Sequence, residues 1–230
     1  MIPWLARSAP PDAFPPVSEA LDEPDGLLCA GGDLTRARLL EAYRRGIFPW
    51  YSEGQPILWW SPDPRTVLFP GEFRLTRSLA KSCRNRGYEV TFDRAFGEVM
   101  RQCADARLRP EGTWISPAML DAYEDLHRAG YAHSVETWHE GRLVGGLYGV
   151  ALGNVFFGES MFSRSRDASK VALKQLVDTA LARGTALIDC QLASAHLASL
   201  GAREIPRGEF VARLGQAITD LEPVVGWTQR

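Results

Sequence analysis

The chain has 230 residues, 45% hydrophobic and 23% charged, with a formal net charge of -2 at pH 7. These values are ordinary for a soluble globular protein of one large or two modest domains with ample core, and they exclude a general electrostatic pull on nucleic acid, so any basic patch must be local. The four cysteines (Cys29, Cys83, Cys103, Cys190) are scattered with no C-x-x-C pair, which argues against a zinc site or a disulfide framework; no apolar run approaches the roughly 20 residues that span a membrane.

Residues 1–17 are rich in proline, lack periodicity and read as an extended arm without the apolar core of a signal peptide; the expectation is a cytoplasmic protein. A helix is expected over 35–45, with Thr35 as N-cap and Gly46 just past its end. The following stretch, IFPWYSEGQPILWWSPDPRTVLFP, is dense in Trp and Pro and reads as short strands and turns. Its prolines place the domain boundary near 61–65, giving domains of 1–62 and 63–230.

Thr76 is expected to cap a helix that ends before Gly87, and 88–92 (YEVTF) reads as a strand. Residues 94–103 read as a helix that buries Phe96, Val99, Met100 and Cys103. Ser116-Pro117 is an N-cap followed by proline at the first helical position, and Gly130 closes that helix. Residues 132–139 alternate as a strand; Glu140-Gly141 and Gly153-Asn154 are the hairpin turns to strands at 142–152 and 155–163. A helix over 168–183 ends at Gly184, and a strand begins at Leu187. The order is that of an α+β fold, without internal repeats.

Four features carry candidate chemistry. Asp189 and Gln191, two apart in a strand, would share one face with Leu187, while Cys190 would point the other way into the core. A carboxylate beside an amide can orient a nucleophile or accept its proton; the same spacing suits a strand end whose polar side chains meet water. Glu159, in VFFGESMF, is an acid among Phe and Met that must face solvent, find a partner or line a cleft near Asp189. Trp50, Tyr51, Trp59, Trp60 and Trp114 fall in extended segments, where an exposed Trp suits stacking on a base and a buried one is core. RLTRSLAKSCRNR (74–86) holds five cations and no acid. On its helix Arg77, Lys81 and Arg84 share one face opposite Leu75, Leu79 and Cys83, which points to phosphate contact over a merely solvated surface. The four histidines show no metal spacing, and there is no G-x-S-x-G and no P-loop.

Several blocks, taken together, closely resemble the leucyl/phenylalanyl-tRNA–protein transferases: LLCAGGDLTRARLLEAYRRGIFPWYS (27–52), ILWWSPDPR (57–65), EGTWI (111–115), LVGGLYGV (143–150), GESMFS (158–163) and IDCQ…HLASLGA (188–202). The resemblance implies a small N-terminal α+β domain followed by an acetyltransferase-like (GNAT) C-terminal domain. It implies transfer of Leu or Phe, with Met as a further candidate donor, from aminoacyl-tRNA to the α-amino group of proteins that begin with Arg or Lys, marking them for degradation, with no cofactor, metal or membrane. By the same resemblance Asp189, Gln191 and Glu159 are catalytic, Asp189 polarising Gln191, with Glu159 near the acceptor amine. Trp50, Trp114 and Tyr43 surround the terminal adenosine. Leu147, Phe156 and Phe157 form the donor side-chain pocket, and Arg77, Lys81 and Arg84 meet tRNA phosphates. This chain departs from the family pattern at Ser194, where Asn is frequent, and at Leu147, where Met is expected.

Two other readings use the same residues. A CoA-dependent N-acyltransferase on this fold needs a glycine-rich pyrophosphate loop, and the corresponding SRSRDASK (163–170) contains no glycine. A non-catalytic RNA-binding module would need the basic face of 74–86 but not Asp189, Gln191 and Glu159 close together.

Overall fold

The computed structural model describes residues 2–105, 113–224 and 227. In chain order its elements are β1 (Trp4–Leu5), β2 (Leu27–Gly31), α1 (Arg36–Arg44), β3 (Phe48–Pro49), β4 (Leu58–Trp60), β5 (Arg65–Leu68), α2 (Arg77–Asn85), β6 (Glu89–Phe92), α3 (Phe96–Asp105), α4 (Pro117–Arg128), β7 (Ala132–His139), β8 (Arg142–Leu152), β9 (Val155–Ser163), α5 (Ala168–Arg183), β10 (Leu187–Gln191), α6 (Ala195–Ser199), β11 (Arg203–Ile205) and α7 (Arg207–Ala217). They form a four-stranded sheet, β1-β2-β4-β3, and a seven-stranded sheet, β11-β5-β10-β9-β8-β7-β6. The chain passes from one sheet to the other between Trp60 and Arg65.

Turn and cap chemistry explains why the second half was readable. Ser116 accepts from the Met119 N–H with Pro117 behind it, and Thr76 accepts from the Leu79 N–H. The β7–β8 hairpin turns on Glu140 and Gly141, both at positive φ, as a two-residue turn of this kind requires. Two glycines of LVGGLYGV are set by close approach. A Cβ on Gly145 would lie 2.5 Å from the Ala168 Cβ at the start of α5, and one on Gly149 would lie 2.2 Å from the Phe157 carbonyl oxygen.

The core lies on both faces of the large sheet. One cluster joins α3 and α4 to the N-terminal half, bringing Tyr43, Phe48 and Trp59 together with Tyr123, Phe157 and Phe210. The other lies under α5, with Leu147, Phe156, Leu173, Leu176 and Ile188. Because both faces are covered, β7 is buried at six consecutive positions and shows no in-out contrast.

Other sequence expectations need correction. The arm supplies a strand, β1, which pairs parallel with β2. Leu75 precedes α2 and is 47% exposed, so the apolar stripe of that helix rests on Leu79 and half-buried Cys83. The elements α6, β11 and α7, beyond the last strand read from sequence, complete the sheet edge and its cover.

Candidate active site

The site lies where two parallel strands part. The pairing of β9 with β10 runs from Val155↔Leu187 to Phe157↔Asp189 and stops; β9 then continues to Ser163 on β8 alone, while β10 follows β5. A register shift at Tyr148/Gly149 leaves Glu159 as an extra residue on β9. A second shift between Asp189 and Gln191 puts Gln191 at φ 57, in the left-handed region. Two bulges therefore splay the sheet and open a cleft of about 350 Å³, with Gly158 and Glu159 on one wall and the residues after Asp189 on the other.

Asp189 is fully buried at the floor of this wedge. Arg65, 1% exposed, grips it with both edges of the guanidinium: Nε donates to Oδ1 at 2.8 Å and Nη2 to Oδ2 at 2.7 Å. The third guanidinium nitrogen, Nη1, donates to the Gly46 carbonyl at 3.1 Å, and the cation is flanked by the Phe48 and Phe210 rings at 4.8 and 4.7 Å. The backbone N–H of Gln191 donates to Asp189 Oδ1 at 3.1 Å, and its side-chain Nε2 lies 3.5 Å from Oδ2. Asp189 and Gln191 do meet, as the two-residue spacing predicted, but the strand alternation behind that expectation breaks between them. What joins them is a tight turn over a buried ion pair. Cys190 lines the cleft and is half-buried, so it is not the core residue that alternation predicted.

Glu159 finds partners of another kind. Tyr43 Oη lies 2.7 Å from its Oε1 and Tyr123 Oη 3.0 Å from its Oε2, and the two hydroxyls are also in contact. Burial pushes the Glu159 carboxyl up from 4.5 to about 7; the two tyrosine hydroxyls oppose that shift, Asp189 adds to it and Arg65 opposes it. Burial, followed by the charge of Glu159, raises both tyrosines well above 10, so both keep their protons. Both tyrosines donate to the carboxylate and so favour its ionised form, while burial and the nearby Asp189 favour the neutral acid. Burial prevails, so Glu159 exchanges its proton near neutral pH. Because the folded state binds this proton more tightly than the unfolded chain, its contribution to stability is complete below about 4.5 and lost as pH rises through about 7, a change of about 3 kcal/mol. Urea denaturation of wild type and Glu159→Gln between pH 5 and 8 is expected to show a falling wild-type curve and a flatter variant; parallel curves would contradict the assignment.

The rest of the cleft is apolar or aromatic. Trp50, 42% exposed, and Trp114, half-buried, both line it, with the Trp60 indole N–H donating to the Trp50 carbonyl at 2.6 Å. Trp59 is fully buried, so of the Trp59-Trp60 pair only Trp60 keeps some exposure. The first two residues of EGTWI, Glu111 and Gly112, lie outside the described residues. Leu147 lines the cleft together with Met161, Leu173, Leu176 and Ile188. Three expected site residues occupy other places. Tyr43 is fully buried beneath Glu159 and has no face to offer a base. Phe156 and Phe157 are also fully buried, packed into opposite clusters on the two faces of the sheet, and neither lines the cleft. Side chains on the splayed part of β9, beyond Phe157, and on α5 form the pocket wall instead.

Arg77, Lys81 and Arg84 are exposed on α2, and among the described residues none is paired with a carboxylate. The helix packs on α5, against which Ser82 donates to Asp167 Oδ2 at 2.8 Å. Asp167 takes the N-cap place of α5 with φ 61. Burial acts to raise its carboxyl, but hydrogen bonds from Ser82 and Lys170 and the charges of Lys170 and Arg166 outweigh it and hold the group below the ordinary value.

Sequence reading missed three members of the site. Arg65, inside the quoted SPDPR block, is one; a buried arginine in a strand that also carries Thr66, Val67 and Leu68 signals a buried carboxylate partner. Tyr123 sits on a plain amphipathic helix and gave no signal. His196, on α6, lines the cleft, and burial holds its imidazole below 6.5. Ser194, at the position where Asn is frequent, caps α6 by accepting from the Leu197 N–H at 3.1 Å. Among the described residues no group of three His, Cys, Asp or Glu side chains could hold a metal ion.

Residues 67–215 match the family described as leucyl/phenylalanyl-tRNA protein transferase, and residues 32–63 match the N-terminal domain of that family. A leucyl/phenylalanyl-tRNA–protein transferase from Chromobacterium violaceum is 56% identical over 227 residues, 99% of this chain and 96% of that protein. One from Chromohalobacter salexigens is 62% identical over 219 residues, 95% of this chain and 85% of that protein. Among solved structures, a ribosomal-protein-alanine N-acetyltransferase from Brucella melitensis is similar with a TM-score of 0.37 and 15% identity, over 62% of this chain and 97% of that one.

Proposed function

Because this chain belongs to the leucyl/phenylalanyl-tRNA–protein transferase family, we propose that its cleft moves Leu or Phe from aminoacyl-tRNA to the α-amino group of proteins beginning with Arg or Lys. The chain is an aminoacyltransferase. The finer reading, which includes the acceptor residues, the cytoplasm as the place of action and proteolysis as the fate of the product, is our inference. The observation that carries it is the junction in one cleft of two exposed or half-exposed tryptophans, an apolar pocket and the Glu159–Gln191 pair.

In this reading Trp50 and Trp114 hold the terminal adenosine, and Leu147, Met161, Leu173, Leu176 and Ile188 take the donor side chain. The amine nitrogen attacks the ester carbonyl carbon, the bond to the ribose oxygen breaks, and an amide forms. The nitrogen loses one proton and the ribose oxygen gains one. Gln191 accepts a hydrogen bond from the attacking amine. Glu159, which exchanges its proton near pH 7, takes the proton and returns one to the leaving oxygen. An α-amine with an ordinary pKa of about 7.7–8.0 is already partly neutral, and aminolysis of an ester is downhill, so positioning supplies much of the acceleration.

The CoA-dependent alternative meets an obstacle at α5. The loop before it has no glycine, and the Asp167 carboxylate stands at the helix N-terminus, where it repels a pyrophosphate. Purified protein should move labelled Leu from charged tRNA to an Arg-starting peptide. Ribonuclease should abolish transfer, and acetyl-CoA should neither support nor inhibit it. Activity that survives ribonuclease and needs acetyl-CoA would overturn the proposal.

The exposed face of α2 adds a quantitative expectation. If Arg77, Lys81 and Arg84 each meet a phosphate, neutralising all three reduces the slope of log binding constant against log salt by about two to three. Filter binding of tRNA across a salt series measures it; an unchanged slope in the triple variant would make the face ordinary solvated surface.

A further inference from the structure

We infer that Arg65 is a positioning residue for the transfer reaction: its clamp on Asp189 fixes which end of the Gln191 amide faces the substrate. The inference rests on the reading of Gln191 given above. Gln191 presents either an acceptor, Oε1, or two donors on Nε2, and nothing in the residue itself selects between them. The choice is made by Asp189. Both carboxylate oxygens of Asp189 already receive hydrogen bonds from Arg65, at 2.8 and 2.7 Å, so both are placed as acceptors. An acceptor oxygen 3.5 Å from the amide draws Nε2 toward itself and turns Oε1 away. The same Oδ1 that takes Arg65 Nε also takes the Gln191 backbone N–H at 3.1 Å, which helps hold the residue at φ 57. Arg65 therefore sets both the place of the amide and its sense, although it does not line the cleft.

Arg65 is in turn aligned from the N-terminal half. Its Nη1 donates to the carbonyl of Gly46, just beyond α1, and its Cζ lies 4.8 Å from the Phe48 ring after α1 and 4.7 Å from the Phe210 ring of α7. Two aromatic walls and three directed hydrogen bonds suit a planar guanidinium and leave a lysine ammonium one or two partners short. The charged groups near Asp189 are Arg65 on β5 and Glu159 on β9, with the Cys190 thiol beside it on β10; the charge on Asp189 acts on both Glu159 and Cys190. Without Arg65, Asp189 would face Glu159 with no cation against it, and the acceptor that orders Gln191 would be lost.

The test is a double-mutant cycle read in turnover. Arg65→Lys keeps a cation and removes the two-point grip. It is expected to lower kcat about tenfold or more, with the donor KM within about threefold, and to change kcat less than about twofold when Gln191 is already alanine. Phe210→Leu, which leaves every charge in place and loosens one wall, serves if the lysine variant does not fold; its smaller loss is expected to vanish in the same background. Arg38→Met is the control: it removes another arginine of 1% exposure, bonded to Asp33 and to the Ala9 and Pro10 carbonyls, and is expected to cost stability without lowering kcat. Equal losses of kcat in both Gln191 backgrounds would overturn the inference. A wild-type protein with no transfer activity would instead overturn the reading of the site itself.

Discussion

Gln191→Ala is expected to lower kcat about 10²-fold while the donor KM stays within about threefold, the pattern of a group that acts in the transition state. Gln191 lies after the last paired residues of β9 and β10 and lines the cleft together with Glu159. Truncation leaves the Asp189–Arg65 pair intact, because neither arginine contact involves Gln191. The loss should therefore come without a comparable loss of stability. Single-turnover transfer from saturating charged tRNA, beside a urea melt of the same variant, separates the two effects. Wild-type turnover would remove Gln191 from the reaction; a collapse in stability would show the turn to be structural.

How much of this site the sequence reveals depends on which physics each part uses. Local rules place the helices and hairpins well: Ser116-Pro117, Thr76, Gly184 and the Glu140-Gly141 turn all act within a few residues, and the structure puts elements where they predict. Period-2 alternation finds Asp189 and Gln191 but gives the wrong reason, since a bulge lies between them. Alternation also cannot say which residues of VFFGESMF face the cleft. That depends on the shift at Tyr148/Gly149 and on where β9 leaves β10, both properties of the whole sheet. Hence Phe156 and Phe157 fall in the core and Met161 in the pocket. The partners of the charged groups were the least legible. Arg65 and Asp189 are 124 residues apart in sequence, and Glu159 meets Tyr43 across 116. A buried charge announces only that some partner exists.

That distance is also why the largest stability effect belongs to a residue named for catalysis. Asp189→Ala leaves Arg65 at 1% exposure with no anion, and breaking a buried pair in this way costs about 3–5 kcal/mol. Asp189 variants should therefore lose stability and turnover together, and turnover alone assigns them nothing. The double replacement Arg65→Met with Asp189→Leu resolves this. Removing both charges leaves apolar side chains between Phe48, Phe210 and the sheet, where the desolvation cost of the pair disappears along with its attraction. The double variant is expected to recover most of the stability that Asp189→Ala loses, read as a urea midpoint with unchanged slope, and to recover none of the turnover. Recovery of both would make the pair a structural device. Recovery of stability alone places it in the reaction, because the one thing the apolar pair cannot supply is an acceptor that orders the amide of Gln191.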